Sequence, residues 1–422
     1  MNLLAKKSTL RGRVPIPGSK SHTIRCVAIA SLASGESELE VPLVSSDTMA
    51  AVDCYRKLGA AIECGQSWRI QGTGGCLAVP DNIIDVANSG TTLRFAIGSA
   101  ALLDSGTAVF TGDEQIRSRP LGPLLQSLND LGAACFSTRN NGKAPVVVRG
   151  RMVGGETTIE AVTSQYLSSL LINTPLAEKD TVIRVTKLNE QPYVEITLRY
   201  LREQGIQYTN DGMKNFTIRG GQRYRPFRKR IPADFSSATF FLCAGAILDA
   251  DLILEGLDYT DAQGDKAVVD MLRWMGASIE INGLETRVRR SELKGIDIDL
   301  NATPDALPAL AVTACFASGP TRLYNVPQAR LKETDRIAVM NEELSKMGAR
   351  IEEFPDGLKI TPAPLHAARL SGHGDHRIVM ALSLAGLALD GETSIDTAEA
   401  VNVTFPDYAV LMQSLGANIT IR

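Results

Sequence analysis

The feature that most constrains this chain is a repeat. A glycine closes an amphipathic helical pattern at Gly59, Gly132, Gly205, Gly276, Gly348 and Gly416, at intervals of roughly 70 residues. These glycines follow Leu, Met or Gln and most precede Ala, as in Lys57-Leu58-Gly59-Ala60 and Trp274-Met275-Gly276-Ala277. Glycine just past a helix supplies the left-handed residue that stops it. A short strand follows, such as Ala277-Ser278-Ile279-Glu280-Ile281, and Asp211-Gly212, Asn282-Gly283 and Asp356-Gly357 read as hairpin turns into a second strand. A chain of 422 residues is too long for one ordinary core, and it resolves into six copies of one small unit.

Each unit also holds a second helix of another kind. These begin at Ser21, Ser89-Gly90-Thr91, Thr163-Ser164-Gln165, Ser236-Ser237, Pro304-Asp305 and Gly374-Asp375-His376-Arg377. The stretches behind them, 95–102, 240–248, 310–316 and 378–389, are apolar all round, which predicts burial on every side. One unit is thus a buried helix, a strand, an outer helix and a hairpin, a mixed α/β (α+β) design. Six units divide most simply into two domains: residues 1–18 with 232–422, and residues 19–231, hinged near Gly18 and Ile231. The basic run from Arg223 to Pro232 is the expected linker, and the strand before Gly18 is expected to complete the last unit. Equivalent helices should point alike, so each domain aims three N-termini at one face of a cleft, where anions are favoured. The plainer reading of Ser236, Ser237 and Thr163 is that they only cap helices.

Composition excludes several classes. A net charge of -3 argues against a general nucleic-acid or membrane-surface binder. Seven scattered cysteines with no C-x-x-C pair indicate neither a disulfide framework nor a zinc site. The N-terminus lacks the apolar run of a signal peptide, and no apolar stretch is long enough to span a bilayer. A cytosolic enzyme or binding protein is the expectation.

The polar residues at the helix mouths then stand out as an ordered set. Pro17-Gly18-Ser19-Lys20-Ser21 with Arg25, Asn88-Ser89-Gly90-Thr91-Thr92-Leu93-Arg94, Arg119-Pro120, Thr163-Ser164-Gln165, Pro192-Tyr193, Leu331-Lys332-Glu333-Thr334-Asp335-Arg336 and Gly374-Asp375-His376-Arg377 run over nearly the whole chain. Together they resemble the 5-enolpyruvylshikimate-3-phosphate synthase family of enolpyruvyl transferases. That resemblance implies two domains of three βαβαββ-type units. It implies enolpyruvyl transfer from phosphoenolpyruvate to the 5-hydroxyl of shikimate 3-phosphate by addition and elimination, with no metal or cofactor.

The resemblance further implies roles. Lys20 touches both substrates. Ser21, Arg25, Thr163, Ser164, Gln165, Tyr193, Asp305, Gln328 and Lys332 hold shikimate 3-phosphate. Asn88, Gly90, Thr91, Arg119, Gln165, Glu333, Arg336 and Arg377 hold phosphoenolpyruvate. Asp305 and Glu333, aided by Lys20, are the proton relay, and His376 is either a relay or a hydrogen-bonded core histidine. Arg94, inside an apolar helix, needs a partner, and an ion pair is the expected one. The expected partners are these two small molecules alone, and the expected state is a monomer.

Two residues depart from the enteric pattern. Glu190-Gln191 stands where that pattern has Ser-Lys at the phosphate, and Val403 precedes Thr404-Phe405-Pro406 where it has a lysine beside phosphoenolpyruvate. Two other readings remain open on the residues. A UDP-N-acetylglucosamine enolpyruvyl transferase would carry Lys-Asn near the N-terminus and a cysteine in the loop before Arg119. Here the pair is Lys20-Ser21 and the loop 112–118 has no cysteine. A non-catalytic phospholigand-binding repeat protein would not need cations at so many equivalent helix mouths.

Overall fold

The computed structural model describes residues 1–422. The chain forms two compact units, Met1–Ser19 with Pro232–Arg422, and Lys20–Ile231. Each contains three four-stranded sheets. Their inner helices are Phe235–Ile247, Leu307–Cys315 and His376–Ala388 in one unit, and Lys20–Leu32, Gly90–Ala100 and Ser164–Asn173 in the other. Every residue of Phe235–Ile247 is buried, as the unbroken apolar sequence requires. Outer helices such as Gln191–Glu203 and Ala267–Trp274 bury one face only, and all six end at the repeat glycines, whose φ values lie between 72° and 104°.

One sheet pattern recurs. Gly155–Ala161 runs into the inner helix Ser164–Asn173 and returns as Thr181–Leu188, parallel to it. The outer helix follows, and the hairpin Tyr208–Asp211/Asn215–Ile218 then adds to the sheet with its second strand innermost. The hairpin glycines meet two different needs. Gly212 and Gly283 adopt positive φ, whereas at Gly357 a Cβ would lie 1.9 Å from the Leu323 carbonyl oxygen, so backbone proximity excludes a side chain.

Three sheets borrow strands from far along the chain. Leu3–Lys6 sits between Glu392–Ile395 and Asn418–Ile421 and supplies the strand that the last repeat lacks. Thr9–Pro15 runs parallel to Asp249–Glu255. Arg228–Arg230, expected only as linker, is a strand parallel to Ser34–Glu40. The basic run belongs there because its neighbour is acidic: Arg228 lies against Glu38 and Glu40, and Lys229 reaches Glu203 at 2.7 Å. The chain passes between units after Ser19 and after Ile231. The two passing segments are tied by Ser19 N–H to Pro232 O (2.8 Å) and Asp234 N–H to Pro17 O (2.9 Å).

The repeat glycines yield a stability prediction. Gly276 has φ 104°, and a Cβ there would sit 3.1 Å from the Glu292 carbonyl oxygen. Gly276→Ala should cost about 1–2 kcal/mol. Gly122, at a helix start with open space around it, should accept Ala at no cost or with a gain of a few tenths. Calorimetric melting of both variants checks the contrast.

Candidate active site

In the unit Lys20–Ile231, the predicted residues gather at the N-terminal ends of the inner helices. Lys20 opens the first of these helices, and its ammonium lies 3.0 Å from Asp47, a buried carboxylate in the first turn of Ser46–Lys57. Asp47 was not anticipated from sequence. Its only signal was an acid after a Ser45 cap, and nothing linked it to a lysine 27 positions earlier.

Arg25, one turn into the same helix, is 1% exposed. Its guanidinium donates to Thr197 Oγ1 (2.9 Å), the Tyr193 carbonyl (2.9 Å) and the Ser21 carbonyl (3.0 Å), and stacks over Phe95 at 5.3 Å. None of these partners is charged. Burial therefore wins, and the pKa falls to about 10. A buried cation with only dipoles around it has charge to spare for an anion.

The second and third inner helices meet through Gln165. Its amide donates to Thr91 Oγ1 (3.0 Å) and accepts from Arg94 (3.0 Å). The ion pair expected for Arg94 is absent. The guanidinium instead donates to the Gly90 and Pro120 carbonyls and lies over Tyr166 at 5.6 Å, because its own helix and the Arg119-Pro120 turn already offer carbonyls where the side chain ends. Gly90 has a steric reason for lacking a side chain. A Cβ there would meet Arg94 Nη1 at 2.6 Å and Arg119 Nη1 at 2.7 Å, so the bare glycine makes room for two guanidiniums. Asn88 is held by Asp113 and Gln115, both at 2.7 Å.

Thr163 caps the third inner helix, with its hydroxyl 3.5 Å from the Gln165 N–H. The helix mouth already holds an anion. Glu190 Oε2 accepts from Ser164 Oγ (2.8 Å), Ser164 N–H (3.2 Å) and Thr163 Oγ1 (3.2 Å). Tyr193 follows at the start of Gln191–Glu203 and is half-buried.

In the other unit the predicted residues form one charged cluster. Arg336, 1% exposed, donates to Asp375 through Nε (2.7 Å), to Asp305 through Nη1 (2.7 Å) and to Glu333 through Nη2. Burial alone would lower its pKa, but Asp375, Glu333 and Asp305 outweigh that and raise it. Asp305 also faces Arg377 at 3.2 Å and Lys332 at 3.8 Å. Burial pushes its carboxyl up, yet Arg377, Lys332 and Arg336 together hold it far below the usual carboxylate range.

Arg377 further donates to Ser236 Oγ (2.7 Å). Ser236 is not the cap expected of it. Asp234 caps that helix by accepting from the Ser236 N–H (3.0 Å), as Asp375 caps His376–Ala388 through the Arg377 N–H (2.9 Å). The Asp375 role had a signal, an acid just before a buried helix; its ion pair with Arg336 had none. Gln328 is 3% exposed and donates to the Asn301 carbonyl (3.0 Å), while its own carbonyl oxygen has no partner. His376 is buried, its ring nitrogen 3.8 Å from Asp375.

The Asp305 environment carries a pH prediction. A carboxyl whose folded pKa is depressed contributes stability above its unfolded value near 4, and that contribution is lost as pH falls through the lower folded value. Asp305→Asn should therefore cost about 3–5 kcal/mol between pH 5 and 8, since it leaves buried cations short of a partner. The gap to the parent should narrow only below about pH 4, as read by denaturant unfolding across pH.

Comparison with known proteins places this geometry in a family. Residues 4–412 match the family model for EPSP synthase (3-phosphoshikimate 1-carboxyvinyltransferase). The chain is 57% identical over 421 residues to the 3-phosphoshikimate 1-carboxyvinyltransferase of Acetivibrio thermocellus, covering 100% of this chain and 99% of that one. It is 54% identical to the enzyme of that name from Ruminiclostridium cellulolyticum, with 100% of both chains covered. An EPSP synthase structure from Acinetobacter baumannii superposes with a TM-score of 0.84 at 27% identity, covering 100% of this chain and 99% of that one. The enolpyruvyl transferase NikO from Streptomyces tendae shares the fold, with a TM-score of 0.79 at 19% identity and 99% and 98% of the two chains covered. With the repeat, the helix mouths and these full-length matches in agreement, the chain belongs to the EPSP synthase family.

Proposed function

We propose that this chain transfers the enolpyruvyl group of phosphoenolpyruvate to the 5-hydroxyl of shikimate 3-phosphate and releases phosphate. The observation that carries the reading is the Asp305 cluster, in which one ionised carboxylate stands among Lys332, Arg336 and Arg377 in a chain matched along its length by this family. The 5-hydroxyl oxygen adds to the carbon of phosphoenolpyruvate that bears phosphate, while a proton goes to the methylene carbon. The tetrahedral intermediate then expels phosphate and returns that proton, leaving the enol ether. Asp305, beside Lys332 and Arg377, is read as the group that receives the hydroxyl proton, and Glu333 as the one that serves the methylene carbon, with Lys20 assisting. The depressed Asp305 carboxyl is a weak base, so that proton moves only as the new C–O bond forms. No step is an oxidation or reduction.

Ser21, Arg25, Thr163, Ser164, Gln165, Tyr193, Gln328 and Lys332 serve shikimate 3-phosphate, with the unpartnered Gln328 oxygen suited to a ring hydroxyl. Asn88, Gly90, Thr91, Arg119 and Arg377 serve phosphoenolpyruvate. Arg336 spends four of its five N–H groups on Asp375, Asp305 and Glu333, so its first task is to hold those carboxylates in place, and one N–H on Nη1 is left for phosphoenolpyruvate. His376 is read as a support within the fold. No helix is long and apolar enough to cross a membrane, and a monomeric cytosolic enzyme is the simplest form of the proposal.

The test is phosphate release from phosphoenolpyruvate, with shikimate 3-phosphate and UDP-N-acetylglucosamine offered as separate acceptors. Release only with the shikimate ester is expected. Release only with the nucleotide sugar would overturn the acceptor, and release with neither, in folded protein, would overturn the activity.

Val403 gives a second prediction. Half-buried before Thr404-Phe405, it leaves that position without a positive charge. Val403→Lys should lower the KM for phosphoenolpyruvate by roughly 10- to 100-fold with little change in the KM for the acceptor, the range of one added charge-assisted hydrogen bond. Steady-state kinetics with each substrate varied checks it.

A further inference from the structure

Glu190 is placed where a ligand phosphate is expected. The inference drawn from it rests on the reading above, in which the hydroxyls and N–H group at the mouth of Ser164–Asn173 receive the acceptor's phosphate. In the structure all three of those donors, Thr163 Oγ1, Ser164 N–H and Ser164 Oγ, are directed to one oxygen of Glu190. The carboxylate is buried, its residue 2% exposed, and Glu190 itself adopts left-handed φ 60° and ψ 41° at the start of Gln191–Glu203. That backbone geometry is costly for a residue with a side chain. It turns the carboxylate back onto a helix 26 residues earlier in sequence, to Ser164.

We propose that Glu190 is a specificity-determining residue that acts as an internal surrogate for the acceptor's phosphate. Its carboxylate occupies the donors in the free protein and must leave them before a phosphate monoester can take them. Two anions cannot share three donors at this spacing, because each would meet the other's charge with little water between them. The exchange has a definite consequence for affinity. The free protein keeps its helix mouth satisfied, so the phosphate gains only the difference between its own hydrogen bonds and those it displaces. Selectivity follows from the same exchange. A dianion with more acceptor oxygens can outcompete the carboxylate, whereas a neutral hydroxyl at the same position on the ring cannot.

The experiment compares the parent with Glu190→Gln and Glu190→Ser, checked for matched melting temperatures, in steady-state kinetics with shikimate 3-phosphate. Both variants should lower the KM for the phosphorylated acceptor by about tenfold or more, with the change in KM rather than in kcat. Unphosphorylated shikimate, offered as acceptor at high concentration, should gain nothing from either variant. An unchanged or raised KM for shikimate 3-phosphate in both variants would overturn the proposal and make Glu190 a clamp that holds the helix mouth together. Calorimetric titration with inorganic phosphate separates this outcome from a failure of the parent reading. If the parent turned over neither acceptor, tighter phosphate binding by Glu190→Gln would still support the surrogate, and equal binding would still overturn it.

Discussion

A helix buried on every side leaves its sequence one place for charged groups, its end. That constraint governs both units. In Phe235–Ile247 and His376–Ala388 side chains facing any direction meet apolar neighbours, so a charged residue along the shaft would lose its hydration without compensation. Arg25, Arg94 and Arg377 all lie within the first five or six residues of their helices, close to exposed N–H groups, carbonyls and loop side chains that can satisfy them. The fold sorts function to one end of each helix before any particular catalytic residue is chosen. The outer helices and sheets, which carry the repeat glycines, serve to keep water away from the shafts.

The buried guanidiniums show how the same constraint gives different chemistry. Arg336 has a carboxylate for each of its three nitrogen positions, and its pKa rises. Arg25 has a hydroxyl, two carbonyls and a ring, and its pKa falls. A helix end contributes only about 0.3–1 kcal/mol to holding an anion at an accessible site. A desolvated guanidinium with neutral partners contributes more, since hydrogen bonds to a charged group are worth about 1.5–3 kcal/mol. Under the proposed function Arg25 is therefore suited to hold ligand, and Arg336 to hold the carboxylates beside it.

Much of this was legible in the sequence. The glycine period and the all-round apolar stretches exposed the repeat because both follow from local backbone geometry and burial. The helix starts pointed to the candidate site residues because the inner helices carry their charged groups there, while the shafts hold only small neutral polar residues such as Ser99, Ser169 and Ser383. What stayed hidden were partnerships across long separations. Nothing local tied Arg228–Arg230 to the acidic strand Ser34–Glu40, or Thr9–Pro15 to Asp249–Glu255, since strand pairing depends on which edges remain open after folding. Asp234 was missed as a cap because the serines behind it are equally good cap residues and only the backbone decides where the helix begins. The partners of Arg94 and Arg336 were missed for a related reason. Sequence shows that a buried cation needs company but not whether carbonyls or carboxylates provide it.

The two departures from the family pattern act in one direction. Glu190 adds a negative charge at a helix mouth, and Val403 leaves a position without a positive one. An enzyme that joins two anions must still overcome their mutual repulsion, so the remaining cations carry more of that work. Lys20 and Arg25 stand in one unit and Lys332 and Arg377 in the other, and three of these four lie at or within a turn or two of a helix start. Asp47 restrains Lys20 while Arg25 beside it has no carboxylate, and in the other unit Asp305, Glu333 and Asp375 together match Lys332, Arg336 and Arg377. A site with fewer cations, each held in place by neighbours, can bind anions less tightly while keeping the geometry that proton transfer requires. Affinity and positioning are then separate properties of this fold: the first is set by the count of charges at the helix mouths, the second by the carboxylates that hold them.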